Sequence, residues 1–479
     1  MNKEFFTGKN VLIMGLGRFG GGVDVAKFAA GGGAKVVITD LASAQQLSDS
    51  VKKLEEFADI EFHLGSHDPA DFEQADIIVA NPAVPSDNEF LKLARRHNKL
   101  ITSQISIFFQ LCPAPIIGIT GANGKSTTTA LAAHLLRSAS NERRAAAARR
   151  PAESIENVWL SGNIGDEPLL TVVDQIASGD LVVLELSSFQ LEQLAQIQKA
   201  PKVALLTNLT PNHLDRYGTF AAYCAAKENI FRFQKPSEDS PAVSIFNAED
   251  KVGAEWFEKY EKAAGGGRIC IKFSTDDVSQ EIRDSFKLPG RANLSNLAAA
   301  IAIAKYFGVD DGLIKNSLPE FKPLPHRLEL VEQIPSNAGS DQTRLRRGVS
   351  WYNDSKATTP QSAIAALEAF DRPTIIIAGG YDKELPFDEL GQKIAENAKA
   401  AILIGQTAEK IADAIKASPK NQARTELVES LAEAVQLANQ LAVDGDVVLL
   451  SPACASYDMF DNFQQRGCEF IRLVRDIIR

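Results

Sequence analysis

The stretch Ile116-Ile117-Gly118-Ile119-Thr120-Gly121-Ala122-Asn123-Gly124-Lys125-Ser126-Thr127-Thr128-Thr129 decides how this chain is read. Its apolar head reads as a strand, its glycines as a tight loop, and the following Ala130–Arg137 as a helix. Gly-Lys-Ser at such a junction suits a nucleoside triphosphate. Loop N–H groups and the helix N-terminus cradle phosphates, Lys125 reaches the β/γ oxygens, and the Ser126 hydroxyl can ligate Mg2+. The strict spacing would need glycine at 119, where Ile119 stands, so this is a variant P-loop. Gly121, Asn123, Gly124, Lys125, Ser126 and Thr127 form the candidate triphosphate loop.

Working outward, short β-branched apolar runs recur between amphipathic stretches of helical length. They are Asn10–Met14, Ala34–Thr39, Asp76–Ala80, Pro115–Thr120, Leu181–Leu186, Val203–Leu206, Thr374–Ala378, Ala401–Ile404 and Val447–Leu450. Most are apolar throughout, as strands buried on both faces of a parallel sheet are. The fold class is therefore α/β, with ligands at the carboxyl ends of strands. Cys112-Pro113-Ala114-Pro115 and Phe321-Lys322-Pro323-Leu324-Pro325-His326-Arg327 punctuate the chain into three domains, 1–112, 113–322 and 323–479.

A second glycine loop, Gly15-Leu16-Gly17-Arg18-Phe19-Gly20, follows the first strand, and the next strand ends in Asp40. Such a GxGxxG lets backbone N–H groups approach a pyrophosphate, with the acid near a ribose hydroxyl. The pattern specifies a diphosphate more firmly than it specifies a nicotinamide cofactor. Glu185, at the exit of strand Leu181–Leu184, is placed for Mg2+, which takes hard oxygen ligands. Lys383, after Gly379-Gly380-Tyr381-Asp382, can pair with a dicarboxylate.

Composition narrows the classes. Of 479 residues, 45% are hydrophobic and 23% charged, and 51 basic against 61 acidic side chains give a net charge of −10. That balance argues against nucleic acid or an anionic membrane as the main partner. Five scattered cysteines without a CxxC pair suggest neither a disulfide framework nor a zinc site. No signal peptide and no apolar run of spanning length is seen, so the expectation is a cytoplasmic protein without membrane insertion.

Four blocks carry a resemblance. Thr-Gly-x-Asn-Gly-Lys-Ser resembles the ATP loop of the Mur ligases, the ATP-dependent amide-forming enzymes of peptidoglycan precursor synthesis. The others are Asn212-His213-Leu214-Asp215-Arg216-Tyr217 with Ala225-Ala226-Lys227, Asn353-Asp354-Ser355-Lys356-Ala357-Thr358, and Ser451-Pro452-Ala453-Cys454-Ala455-Ser456-Tyr457-Asp458-Met459-Phe460 with Gln465-Arg466-Gly467. Together they are most similar to the D-glutamate-adding branch.

The resemblance implies a Rossmann-like N-terminal domain, a P-loop ATPase-like central domain and a Rossmann-like C-terminal domain. It implies that ATP, UDP-MurNAc-L-Ala and D-glutamate are the substrates and that the enzyme is a monomer. It assigns Mg2+ to Ser126, Glu185, His213 and Lys227, the last as a carbamate formed with CO2. Lys125, His213 and Lys227 would serve catalysis. Asn293, Asn296, Arg327, Asp354 and Lys356 would approach the nucleotide, although Ala292 stands where the family has histidine. Gly15, Leu16, Gly17, Arg18, Phe19, Gly20, Asp40, Asn81, Asn163 and His213 would hold the UDP-sugar. Thr358, Lys383, Ser451 and the Phe460 backbone would hold D-glutamate.

Two tracts, Ser138–Asn157 and Ser336–Gly348, match nothing expected of the family and read as solvated loops. Competing readings are a nicotinamide-dependent oxidoreductase, a relative adding another amino acid, and a non-catalytic nucleotide-binding scaffold. The first leaves the P-loop unexplained. The last conflicts with an intact Lys125 and Glu185.

Overall fold

A computed structural model describes residues 3–17, 20–57, 59–147, 155–162, 168–264, 267–333, 348–419 and 422–478. Three sheets organise them. The first contains β1 (Asn10–Met14), β2 (Lys35–Asp40), β3 (Ile60–Leu64), β4 (Ile77–Ala80) and β5 (Leu100–Thr102), in the parallel order β3-β2-β1-β4-β5. The second contains β6 (Ile116–Thr120), β7 (Val158–Gly162), β8 (Leu181–Glu185), β9 (Val203–Leu206), β10 (Ala242–Asn247) and β11 (Arg268–Phe273). Its order, β11-β10-β9-β6-β8-β7, is also wholly parallel. The third contains β12 (Glu329–Gln333), β13 (Ser350–Asn353), β14 (Thr374–Gly379), β15 (Ala398–Ile404), β16 (Arg424–Leu427) and β17 (Val447–Leu450). Its order is β12-β13-β17-β14-β15-β16, with only β12 antiparallel.

The chain divides into two compact units, residues 1–277 with 296–317, and residues 278–295 with 318–479. The first two sheets lie in the first unit and the third sheet in the second. Every residue of β6, β8, β9, β14 and β17 is buried, which explains their continuous apolar runs.

All nine runs read as strands are strands, within a residue or two except at Ala401–Ile404, where β15 starts three residues earlier. The eight further strands were not anticipated. Edge strands such as β11 and β12 are almost entirely half-buried or exposed, so they lack the uninterrupted apolar signal. β10 is wholly buried, but its serine and asparagine broke the run.

The Ser138–Asn157 tract needs correcting. The helix Lys125–Ala147 continues through residues 138–147, so that half is helical rather than loop. Alanine, arginine and glutamate are strong helix formers, and the composition that suggested solvation also extends the helix. Residues 148–154 of this tract and 336–347 of the other lie outside the described residues.

Candidate active site

The P-loop leaves β6 at Thr120 and enters the helix at Lys125. Its backbone is braced from the neighbouring strand exit, after β9. Ala122 N donates to Asn208 O (2.8 Å), Asn123 N to Asn208 Oδ1 (3.0 Å), and Thr207 Oγ1 to Asn123 O (2.6 Å). Gly124 sits at φ +80°, and a Cβ there would come within 2.1 Å of Asn296 Oδ1, so only glycine fits. Asn296, from the helix Arg291–Tyr306, also accepts from Thr128 Oγ1 at 3.3 Å. It thus packs directly on the phosphate loop. Lys125 Nζ donates to Ala122 O at 3.0 Å, and the Ser126 side chain is buried at the loop's helical end.

Three further groups gather at the carboxyl ends of β8 and β9. Glu185 ends β8 in register with Ile119, and its Oε2 is buried without a hydrogen-bond partner among the described residues. Such an orphaned oxygen needs a cation or donor to offset its desolvation. Lys227, on the helix Phe220–Arg232, is 2% exposed. Its Nζ donates to Thr120 Oγ1 at 3.2 Å and lies 5.0 Å from the Tyr223 ring centroid. Burial, reinforced by the Lys125 charge and only partly opposed by Glu185, holds its pKa well below the ordinary lysine value. His213 sits in the left-handed region (φ 52°) between Phe189 and Tyr223, with ring centroids 5.1 and 6.2 Å away. Partial burial, with Lys227, Lys125 and Arg216 nearby, lowers its pKa despite Asp215 and keeps the imidazole neutral.

Arg216 ties this loop to the first sheet. It stacks on Phe189 (4.2 Å) and donates to Ala83 O (2.9 Å), beside Asn81 at the end of β4. Asn81 Nδ2 in turn donates to Gly15 O at 3.3 Å. A shallow pocket lined by Gly15, Gly21, Gly22, Asn81, Pro82 and Gln104 lies here, where the strand order reverses between β1 and β4. Leu16 is fully buried, so only its backbone faces this loop. Asp40 accepts from Gly17 N (3.1 Å) and Ala42 N (2.8 Å), so the acid read as a ribose ligand also shapes the glycine loop. Arg18, Phe19 and Asn163 lie outside the described residues.

In the second unit, the exits of the adjacent strands β13, β17 and β14 carry Asp354, Lys356 and Thr358, then Ser451, then Lys383. Asp354 is fully enclosed and accepts from Ser451 Oγ (3.0 Å) and Leu328 N (3.2 Å). Burial pushes its pKa up to about 7 against the pull of Arg327, Ser451 and Leu328. Arg327 Nε is buried without a partner among the described residues. Lys356 lies 5.9 Å from the Phe463 ring centroid, and Lys383 is exposed. The Phe460 N–H is committed to Ser456 O (2.8 Å), and Asn293 Nδ2 to Pro289 O (2.7 Å).

Thr120, Thr207 and Asn208 were missed from sequence. Their roles arise from pairing between strands distant in the chain, and no local spacing signals them. Among the described residues no three His, Cys, Asp or Glu side chains converge on a metal site. None of the described helices is long and apolar enough to cross a membrane.

Residues 9–103 match the Mur ligase MurD-like N-terminal domain, 119–304 the Mur ligase middle domain, and 341–454 the Mur ligase glutamate ligase domain. Among curated relatives, UDP-N-acetylmuramoylalanine--D-glutamate ligase of Roseiflexus sp. is 38% identical, covering 98% of both chains. The protein of the same name from Thermoanaerobacter pseudethanolicus is 34% identical over 98% of this chain and 99% of its own. Among solved structures, UDP-N-acetylmuramate-alanine ligase MurC from Thermotoga maritima aligns with a TM-score of 0.55 at 18% identity, covering 98% of this chain and 99% of its own. A pseudomurein peptide ligase type C from Methanothermus fervidus aligns at 0.52 and 16% identity, covering 98% and 100%. Both likenesses concern the fold alone.

Proposed function

The chain belongs to the Mur ligase family, and from that premise we propose an ATP-dependent ligase that joins D-glutamate to UDP-N-acetylmuramoyl-L-alanine in cytoplasmic peptidoglycan precursor synthesis. Full-length likeness to relatives bearing that activity in their names carries the reading. The three sheets support domains at 1–112, 113–322 and 323–479, for the UDP-sugar, ATP and amino acid respectively.

The alanyl carboxylate attacks the γ-phosphorus of ATP, the bond to the β,γ-bridging oxygen breaks, and ADP leaves. The D-glutamate amine then attacks the acyl-phosphate carbonyl. The tetrahedral adduct loses inorganic phosphate and a proton, leaving the amide. Lys125 and the P-loop amides neutralise charge on the transferring phosphoryl group. His213, held neutral, can donate its N–H to the reacting carboxylate or offer its lone pair to a metal. On the nucleotide, Asn293, Asn296, Arg327, Asp354 and Lys356 are the proposed contacts. On D-glutamate they are Thr358, Lys383, Ser451 and the Phe460 backbone. On the UDP-sugar they are the Gly15–Gly20 loop, Asp40, Asn81 and Asn163.

The orphaned Glu185 oxygen and the Ser126 hydroxyl fit Mg2+, which keeps several waters and needs few protein oxygens. Bound there, Mg2+ would withdraw charge from the phosphates. Lys227 with a depressed pKa presents a free amine, the form that reacts with CO2. The carbamate would put an anionic oxygen pair in place of the buried amine, facing the same site. The test is ADP release in single-omission mixtures. It should require both UDP-MurNAc-L-Ala and D-glutamate, and release without either would defeat the assignment.

A further inference from the structure

Arg466 is the largest charged group sealed in the second unit, at 0% exposure. It lies on the helix Phe463–Ile478 and no carboxylate pairs with it among the described residues. Its guanidinium is spent on loop backbone instead. Nε donates to Ser355 Oγ (3.0 Å), Nη2 to Ser355 O and Cys454 O (each 3.0 Å), and Nη1 to Ala455 O (3.2 Å). The Ala455 carbonyl also accepts from Tyr381 N at 2.9 Å. One side chain therefore binds the exits of β13 and β17 directly and meets the exit of β14 through the shared Ala455 carbonyl. These loops bear Asp354 and Thr358, Ser451, and Lys383.

Two features show the arrangement is tightly determined. Ala453, beside Cys454, is held at φ 61°, a conformation unfavourable for a residue with a Cβ. The neighbouring Gly467 lets His326 approach, since a Cβ there would come within 2.3 Å of His326 Nδ1. Asn353 Nδ2 donates to His326 Nδ1 at 2.9 Å, at the base of the first loop. Gln465-Arg466-Gly467 thus lies under the loops.

We propose that Arg466 is a positioning residue for the amino-acid substrate, holding the β13, β14 and β17 exit loops in the one arrangement that sets the Lys383, Ser451 and Thr358 groups around a dicarboxylate. The inference rests on the ligase reading above. A planar fork with five donors can satisfy four acceptors on two loops, which an ammonium cannot do with the same geometry.

The experiment compares steady-state kinetics of wild type, Arg466→Lys and Ser355→Ala, with hydrogen exchange of the same unliganded proteins. Arg466→Lys should raise KM for D-glutamate about tenfold or more while KM for UDP-MurNAc-L-Ala stays within about twofold, because loop misplacement is costly only for the ligand it holds. Ser355→Ala, which removes one acceptor, should shift it in the same direction by less. It serves as the reading if the lysine variant does not fold. Amides at 380–383 and 453–456 should exchange faster in the variants, with the strand amides unchanged. An unchanged D-glutamate KM, an equal rise in every KM, or faster exchange spread over the whole sheet would overturn the proposal. If wild type itself shows no D-glutamate-dependent ADP release, the ligase reading has failed, and the exchange pattern still decides the role of Arg466.

Discussion

Lys227 Nζ lies 3.2 Å from Thr120 Oγ1, the side chain that ends β6 immediately before the phosphate loop. Thr120 Oγ1 itself donates to Leu186 O at 2.8 Å, one residue past Glu185. A buried amine is thereby fixed between the P-loop and the orphaned carboxylate. Desolvation and the nearby Lys125 make its charged form unfavourable.

The first prediction follows from that position. The folded pKa of Lys227 lies below the unfolded one, so the unfolded chain binds the extra proton between the two values. Stability then rises with pH across that interval. Lys227→Met, of similar volume, should be more stable than wild type at pH 7, with the advantage shrinking as pH rises toward about 10. Turnover should fall by about two orders of magnitude or more if, as proposed, the group acts at the phosphoryl site. Thermal melts across pH, paired with ADP release, check both halves. A variant that is active, or less stable at every pH, would contradict the assignment.

Asp354 predicts the opposite slope. Its folded pKa is raised from 3.8 to about 7, so the folded state binds the extra proton in that window and stability falls as pH rises through it. Asp354→Asn keeps an acceptor for Leu328 N and turns its NH2 toward the Ser451 hydroxyl, which can accept, without the buried charge. Its melting temperature relative to wild type should climb from about pH 4 to about pH 7 and then level off. A difference independent of pH would show that Asp354 stays ionised throughout.

Gly124 should tolerate no side chain. Gly124→Ala places a methyl group 2.1 Å from Asn296 Oδ1 at a left-handed φ, so the loop must move. Calorimetric titration should show ATP affinity falling by about tenfold or more, given a strain of about 1–3 kcal/mol at such a site. Pairing it with Asn296→Ala should recover part of the loss. No recovery would mean that the backbone conformation alone is responsible.

How much of this was legible follows from where the signals reside. Gly124, Lys125 and Glu185 were readable because each lies at a strand exit, where one local run carries both strand and loop, whereas His213, in the longer loop after β9, was legible only through resemblance. The structure brings them together because β6, β8 and β9 are neighbours. Lys227 was legible only through resemblance, since a helix lysine carries no mark of burial. Thr120, Asn208 and the use of Arg466 depend on pairing across tens to hundreds of residues, which no spacing encodes. The Leu16 side chain, grouped with the UDP-sugar ligands, instead belongs to the core.

Amino-acid selection gives the next prediction. Lys383 is exposed at the β14 exit, ready to pair with a second carboxylate. Lys383→Ala should cost about 2–5 kcal/mol in D-glutamate binding, the loss from truncating one partner of a desolvated charge pair. The loss should appear in the KM for D-glutamate and leave those for ATP and the UDP-sugar nearly unchanged. The reverse pattern would assign Lys383 to the nucleotide.

The central claim, that the substrate carboxylate is activated by direct phosphorylation before the amine attacks, is tested most directly by isotope transfer. UDP-MurNAc-L-Ala carrying oxygen-18 in both oxygens of its alanyl carboxylate is incubated with ATP, Mg2+ and D-glutamate, and the products are weighed by mass spectrometry. Attack by the carboxylate on the γ-phosphorus predicts one labelled oxygen in each released phosphate and the other in the new amide carbonyl. Phosphate released without label would contradict the account.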